Sequence, residues 1–211
     1  MTRLNLVAAL TALSASTALS APVVGQELQR PPVWQVRFDD PAAVDSTLYF
    51  VTMTPGWHVT TGPSAILYDP AKTASGRYRV QSTVFVFDNS HLEGLGVFIG
   101  GRELSQDGQV YTYFLIRKDG RYLVKRRRGA ETTELVSWTA SSAIAKPAGE
   151  ADPGKNVITI EVGADAVAFS VNGTRVTSLP RTKVDADGIV GLRVNHMVNA
   201  HVTNLTVVRE Q

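Results

Sequence analysis

Tyrosine and arginine recur along two adjoining runs of the chain, Tyr111, Tyr113 and Arg117 in the first and Tyr122, Arg126 and Arg128 in the second. Residues two apart point to the same side of an extended strand. Tyrosine rings pack against apolar C–H faces, while guanidinium forks donate in fixed geometry to hydroxyls or carboxylates. Gathered on one face, such groups suit a polar, ring-shaped ligand, and carbohydrate is the natural candidate. Trp57 and His58, which follow Pro55-Gly56, place a further ring beside a titratable group at a turn. The competing reading is structural: tyrosine and arginine pair across strands on a solvated sheet for about 0.5–1 kcal/mol each, and Trp57 packs into the sandwich edge.

Catalytic chemistry is harder to assemble. Glycoside hydrolysis needs two carboxyl groups about 5–5.5 Å apart for retention or about 6.5–9.5 Å for inversion. Asp88, Glu93 and Glu103 flank a glycine-rich strand and are the acids best placed to meet at a loop-built site. Asp69, Asp107, Asp119, Asp152, Asp165, Asp185 and Asp187 fall in turn signals instead. His58, His91, His196 and His201 show no recognised ligand spacing and the chain has no cysteine, so neither a metal site nor a cofactor is expected. No serine has a Gly-x-Ser-x-Gly context. Gly94-Leu95-Gly96 sits in a strand pattern with no following helix, which removes it as a phosphate cradle.

The elements that must hold these groups read as strands throughout. Arg77–Phe87 alternates, with Tyr78, Val80, Val84 and Val86 on one side. Shorter runs, 34–38, 48–53, 57–60, 65–68, 95–99, 110–117, 122–127, 157–162, 166–171, 189–194 and 201–208, are rich in valine, threonine and aromatics and are bounded by turn residues. Two tight hairpins are expected, at Asp119-Gly120 and Asn172-Gly173, because two-residue loops with positive φ select these dipeptides. A two-residue loop at Asp119-Gly120 pairs Lys118 with Arg121, Ile116 with Leu123, Phe114 with Lys125 and Tyr113 with Arg126. That register gives one face to Tyr111, Tyr113, Arg117, Tyr122, Arg126 and Arg128, and gives Phe114, Ile116 and Leu123 to the core. Roughly a dozen strands without intervening helices predict an antiparallel sandwich or barrel. Residues 141–155, with two prolines, read as a long connection holding one helical turn near Ser142–Ala145.

The chain has 211 residues, 44% hydrophobic, which suffices for one domain with an unstapled core. A net charge of +2 does not call for a nucleic-acid partner. The Lys125–Arg128 run is divided between two strand faces and does not converge. Arg3, the apolar run Leu4–Leu13 and the small residues that follow read as a secretory leader over residues 1–20, with cleavage after Ser20 or Gly25. Residues 21–30 then form a flexible segment and residues 31–211 the β-domain. No stretch is apolar for the ~20 residues that a transmembrane anchor needs. The expected location is the periplasm or the cell exterior, and nothing sets an oligomeric state.

An ordered set of motifs adds to this. These are Gly94-Leu95-Gly96-Val97-Phe98-Ile99-Gly100, the run from Tyr113 to Tyr122, Asn156-Val157-Ile158-Thr159-Ile160, Phe169-Ser170-Val171-Asn172-Gly173 and Asp187-Gly188-Ile189-Val190-Gly191-Leu192-Arg193. From Leu92 onward the chain resembles the concanavalin A-like lectin/glucanase superfamily, and within it the 3-keto-disaccharide hydrolase-like domains. The resemblance implies an all-β, antiparallel jelly-roll sandwich with ligands held on a concave face. Members of the hydrolase-like group tend to carry an acid in the strand that here reads Gln109-Val110-Tyr111-Thr112-Tyr113, and this chain has none there. The Glu-x-Asp-x-x-Glu strand of superfamily glucanases is absent as well. The sequence therefore reads as a lectin-like carbohydrate-binding protein. The alternatives are a hydrolase or lyase acting on a modified sugar and an envelope protein-interaction module using a strand edge.

Overall fold

The computed structural model describes residues 29–88, 90–149 and 151–209; the expected leader, residues 1–20, lies outside them. Of the expected flexible segment, residues 21–28 also lie outside. Gln29 is tied down, its carbonyl accepting from Thr52 N at 2.8 Å, and Arg30 pairs with Asp45 at 2.8 Å.

Fifteen strands are formed among the described residues. In chain order they are β1 (Gln35–Phe38), β2 (Leu48–Thr52), β3 (Trp57–Thr61), β4 (Ala65–Ala74) and β5 (Tyr78–Val86). Next come β6 (Gly94–Arg102), β7 (Val110–Arg117), β8 (Arg121–Arg128), β9 (Glu131–Ala140) and β10 (Gly154–Val162). The last are β11 (Ala166–Val171), β12 (Thr174–Pro180), β13 (Gly188–Val194), β14 (Asn199–Val202) and β15 (Thr206–Arg209). Two single 3₁₀ turns, Asp45–Thr47 and Arg181–Lys183, supply all the helix among the described residues. The helical turn expected near Ser142–Ala145 does not form. That stretch is a plain turn closed by Ile144 N to Ser141 O at 3.3 Å, because its backbone is claimed elsewhere: the Asn156 side chain bonds both Ala145 N and Ala145 O, at 2.8 and 2.9 Å.

Two antiparallel sheets result. The first has the order β1-β4-β13-β6-β7-β8-β9; the second runs β12-β11-β10-β5-β14-β3-β2, with β15 also on β5. Alternation sorts the side chains as expected in β5, whose Tyr78, Val80, Val84 and Val86 all face the core. Phe114 of β7 meets Phe169 of β11 across the sandwich, with ring centroids 5.3 Å apart. Burying each such side chain contributes about 1.5–3 kcal/mol. At Asn172-Gly173 the two-residue reversal is present, with φ of 51° and 79° and Val171 paired to Thr174.

Gly96 of β6 has no room for a side chain, since a Cβ there would lie 2.0 Å from the Phe114 carbonyl oxygen. A second apolar cluster covers the outward side of the first sheet and joins Ile66, Tyr68, Phe98, Tyr111, Tyr113, Leu115 and Leu123, with Leu104 folding onto it from the β6–β7 loop. Outward positions on most sandwiches are wet. Around this cluster they are as dry as the core, and this dry layer is what positions the charged groups described next.

Candidate ligand-binding site

The β7–β8 hairpin corrects the expected register. Arg117 pairs with Arg121, Tyr113 with Lys125, Thr112 with Arg126 and Tyr111 with Arg127. The loop therefore holds three residues, Lys118-Asp119-Gly120. Positive φ occurs at Gly120 alone (84°), and Gly120 N bonds Arg117 O at 3.0 Å. Three-residue hairpins need one glycine in the left-handed region, and an Asp-Gly pair serves them as well as it serves two-residue loops. One added residue moves every β8 side chain to the other face.

As a consequence, the six tyrosines and arginines expected on a single surface are divided. Tyr111, Tyr113 and Arg117 point outward from the first sheet. Tyr122 instead joins the inter-sheet core, its hydroxyl donating to Val176 O of β12 at 2.8 Å. Arg126 and Arg128 share its side of the strand and gather with Arg102 around Asp185, at 4.0, 3.1 and 3.0 Å respectively. Arg117 is held at the hairpin, bidentate to Asp119 at 2.8 and 2.7 Å and stacked 4.5 Å from the Trp138 ring of β9.

On the outward side, β8 contributes Arg127, the neighbour of two expected residues. Its Nη1 lies 2.9 Å from the Asp39 carboxylate, and its Nε donates to Gly129 O at 3.0 Å. Asp39 follows β1 in a turn whose backbone is fixed by Asp39 N to Ser64 O at 2.9 Å. Its main partner is Arg193 of β13, which is 4% exposed and donates to both carboxylate oxygens at 2.7 and 2.6 Å. The same guanidinium lies 5.3 Å from the Tyr113 ring centroid and 3.5 Å from the Tyr111 hydroxyl. Arg37 completes the group: its Nη1 donates to Leu104 O at 3.1 Å and its Nη2 lies 4.0 Å from Asp107.

Electrostatics follow from this packing. Burial acts to raise the Asp39 pKa, but the Arg193 hydrogen bond and the charges of Arg193, Arg127 and Arg37 outweigh it and hold the carboxyl below its ordinary value. Burial likewise works against the charge of Arg193, and Asp39 reverses the balance, so the guanidinium stays firmly protonated. The Tyr113 phenol is pushed up to about 12, chiefly by burial. In front of these groups lies a cavity of about 480 Å³ lined in part by Arg37, Asp39, Asp107, Gln109 and Arg127. Tyr111 and Tyr113, 0% and 5% exposed, form the dry layer of this face and offer no open ring.

Trp57 and His58 lie on the second sheet, away from this cavity. Trp57 packs against the core with its ring 4.7 Å from Trp34. His58 points outward beside His201, in a string of rings with Tyr49, Phe85 and Phe87. Burial, then the nearby His201, lowers its pKa below the usual 6.5. Of the acids expected at a loop-built site, Asp88 pairs with Lys118 at 2.7 Å and Glu93 with His196 at 3.0 Å, and Glu93 and Lys118 line one small pocket. Among the described residues no group of three or more histidines and carboxylates is arranged to hold a metal. No helix among them is long and apolar enough to cross a membrane.

Sequence reasoning missed Arg37, Asp39, Arg127 and Arg193. One signal was present: in Gly191-Leu192-Arg193-Val194 an arginine occupies an alternation position inside an apolar strand, a place that a charge takes only with a partner.

No protein-family model and no curated protein matches the sequence. Solved structures do match in shape. The chain is similar to the carbohydrate binding module CBM66 from Bacillus subtilis, with a TM-score of 0.61 at 9% identity over 83% of this chain and 95% of that one. It is similar to a GH16 protein of the Bacteroides ovatus mixed linkage glucan PUL in complex with G4G4G3G product, with a TM-score of 0.58 at 6% identity over 86% and 97%. A third is the exoplasmic/lumenal domain of VIP36 in its Ca²⁺/Man3GlcNAc-bound form, with a TM-score of 0.56 at 7% identity over 86% and 87%. With two antiparallel sheets matched over most of the length of each of these structures, the chain has the concanavalin A-like sandwich fold.

Proposed function

We propose that this chain is a carbohydrate-recognition domain acting outside the cytoplasm, with its ligand seated in the cavity at Asp39, Arg37 and Arg127. The observation that carries the reading is the mixture of charges on one wall. A carboxylate accepts from sugar hydroxyls and guanidinium groups donate to them, so neighbouring hydroxyls are read in both senses. The buried pair behind them fixes Asp39 before any ligand arrives, which lowers the ordering cost of binding. The three structural relatives, named as a carbohydrate binding module, a glucan product complex and a Man3GlcNAc complex, support the choice of ligand class. The order of motifs resembling 3-keto-disaccharide hydrolase-like domains extends the class to modified disaccharides. Export rests on the leader-like residues 1–20.

A glycan array screened with the mature chain, followed by calorimetry on the best ligand, tests this. A hydrogen bond to a charged group contributes about 1.5–3 kcal/mol, so Arg37→Gln and Arg127→Gln should each weaken binding at least about tenfold. Arg126→Gln, on the other side of the strand, should leave it unchanged. Absence of any glycan ligand, or equal affinity in all three variants, removes the proposal.

A further inference from the structure

We infer that His58 and His201 form a surface site for a divalent transition-metal ion of the imidazole-preferring kind, Cu(II) above all. The two residues are far apart in sequence, and β3 and β14 set them directly opposite one another. The bond from Thr61 N to Val198 O, 3.0 Å, fixes the alternation along this ladder. Counting back from it, Thr60–Asn199 and His58–His201 are the pairs without main-chain bonds between them. In such pairs the Cα atoms approach to about 4.5 Å and the side chains stand closest. The imidazole centroids are 6.4 Å apart and the rings are inclined by 36°. An ion held about 2.0–2.1 Å from one nitrogen of each ring spans rings at that separation when those two nitrogens turn toward each other across it.

Hydrogen bonds on the far nitrogens prepare both rings. His201 Nε2 lies 2.8 Å from the Pro55 carbonyl, which can only accept, so this nitrogen carries the proton and Nδ1 keeps its lone pair. His58 Nε2 lies 3.3 Å from Thr60 Oγ1, whose own proton is directed to Asn199 Oδ1 at 3.3 Å. That hydroxyl is then free to accept from His58 Nε2, with the Asn199 side chain as a second partner of the ring, and in this tautomer Nδ1 is the free base. A metal-binding histidine characteristically donates its other N–H to a carbonyl or similar acceptor, which fixes its tautomer and raises its basicity. Both histidines here have that arrangement.

The donor atoms choose the ion, and aromatic rings frame the pair. Phe85 and Phe87 stand 6.0 Å from His201 and 5.8 Å from His58, and Tyr49 stands 6.2 Å from His58. With imidazole nitrogens as the protein ligands, water fills the remaining positions. Nitrogen sites follow the order of rising affinity through Ni(II) to Cu(II), with Zn(II) below Cu(II), whereas Ca(II) and Mg(II) require oxygen donors.

The test is calorimetric titration of the chelator-stripped full chain with Cu(II), Ni(II) and Zn(II) at neutral pH, with electron paramagnetic resonance of the copper form. One Cu(II) per chain should bind at this site, with nitrogen hyperfine structure from two imidazoles. His58→Ala and His201→Ala should each weaken it at least about tenfold, since losing even an outer partner of a metal ligand costs about 10–100-fold. His196→Ala, whose ring pairs with Glu93, should change nothing. Both replaced side chains lie at the surface, and circular dichroism checks that the fold is kept. Copper binding that survives both changes, or that is lost with His196→Ala alone, overturns the assignment.

Discussion

Replacing Asp39 by alanine tests the charge arrangement most directly. Arg193 is 4% exposed, and both of its short bonds, 2.7 and 2.6 Å, go to Asp39. After the change its guanidinium retains the Tyr111 hydroxyl at 3.5 Å and the Tyr113 ring at 5.3 Å. Its Nε is buried without a hydrogen-bond partner already. Stranding a buried charge by removing its partner costs about 3–5 kcal/mol. In a domain of this size each kcal/mol lowers the melting temperature by about 2–4 °C, so Asp39→Ala should lose about 6–20 °C. The reverse change is milder. Arg193→Met leaves Asp39, whose side chain is 32% exposed, with water and with Arg127 at 2.9 Å, and should cost about 1–2 kcal/mol. The double variant should be more stable than Asp39→Ala alone, because methionine removes the stranded charge. Calorimetric melting of the four proteins measures this cycle. Equal losses for the two single variants, or strict additivity in the double, would falsify the account of Arg193 as a buried cation that depends on Asp39.

Two further outcomes follow from the same geometry. Gly96→Ala forces a Cβ to within 2.0 Å of the Phe114 carbonyl oxygen, a main-chain atom that cannot rotate away. The β6–β7 ladder must part locally at a cost of about 3 kcal/mol or more, read as a lower guanidinium midpoint with an unchanged slope; a midpoint equal to that of the parent protein contradicts the crowding. For acid stability, the folded pKa of Asp39 is depressed below 3.8, so its ionised form stabilises the fold fully above about 3.9, and that contribution is lost as pH falls through the lower folded value. Urea unfolding of the parent protein and Asp39→Asn should show a gap at pH 5 that narrows below pH 3.8. A gap that stays constant down to pH 2.5 refutes the assignment.

The architecture was legible because burial writes itself into period-two patterns, as in Tyr78, Val80, Val84 and Val86. Strand β9 escaped that reading. It lies at the sheet edge, and its first four residues, Glu131, Thr132, Thr133 and Glu134, are all exposed, so no alternation was needed there. The site was less legible, for a reason the two hairpins make plain. Asn172-Gly173 and Asp119-Gly120 carry the same local signal. The first has positive φ at both positions, and the second has it only at Gly120. What separates them is not in the dipeptide: it is the pairing that the neighbouring strands accept. A three-residue loop turns Tyr122 and Val124 into the core beside Phe114 and Ile116, and sends Leu123 outward to the second apolar layer. The two-residue alternative buries Leu123 but turns the Tyr122 ring outward with Val124. The longer loop therefore satisfies both apolar layers at once. Its consequence for chemistry is specific. Within Arg126-Arg127-Arg128, pleat parity hands Asp185 to the outer two and Asp39 to the middle one. The residue that reaches the cavity is thus the one that a shift of a single position had concealed, and Arg127 is where tests of ligand recognition on this face must begin.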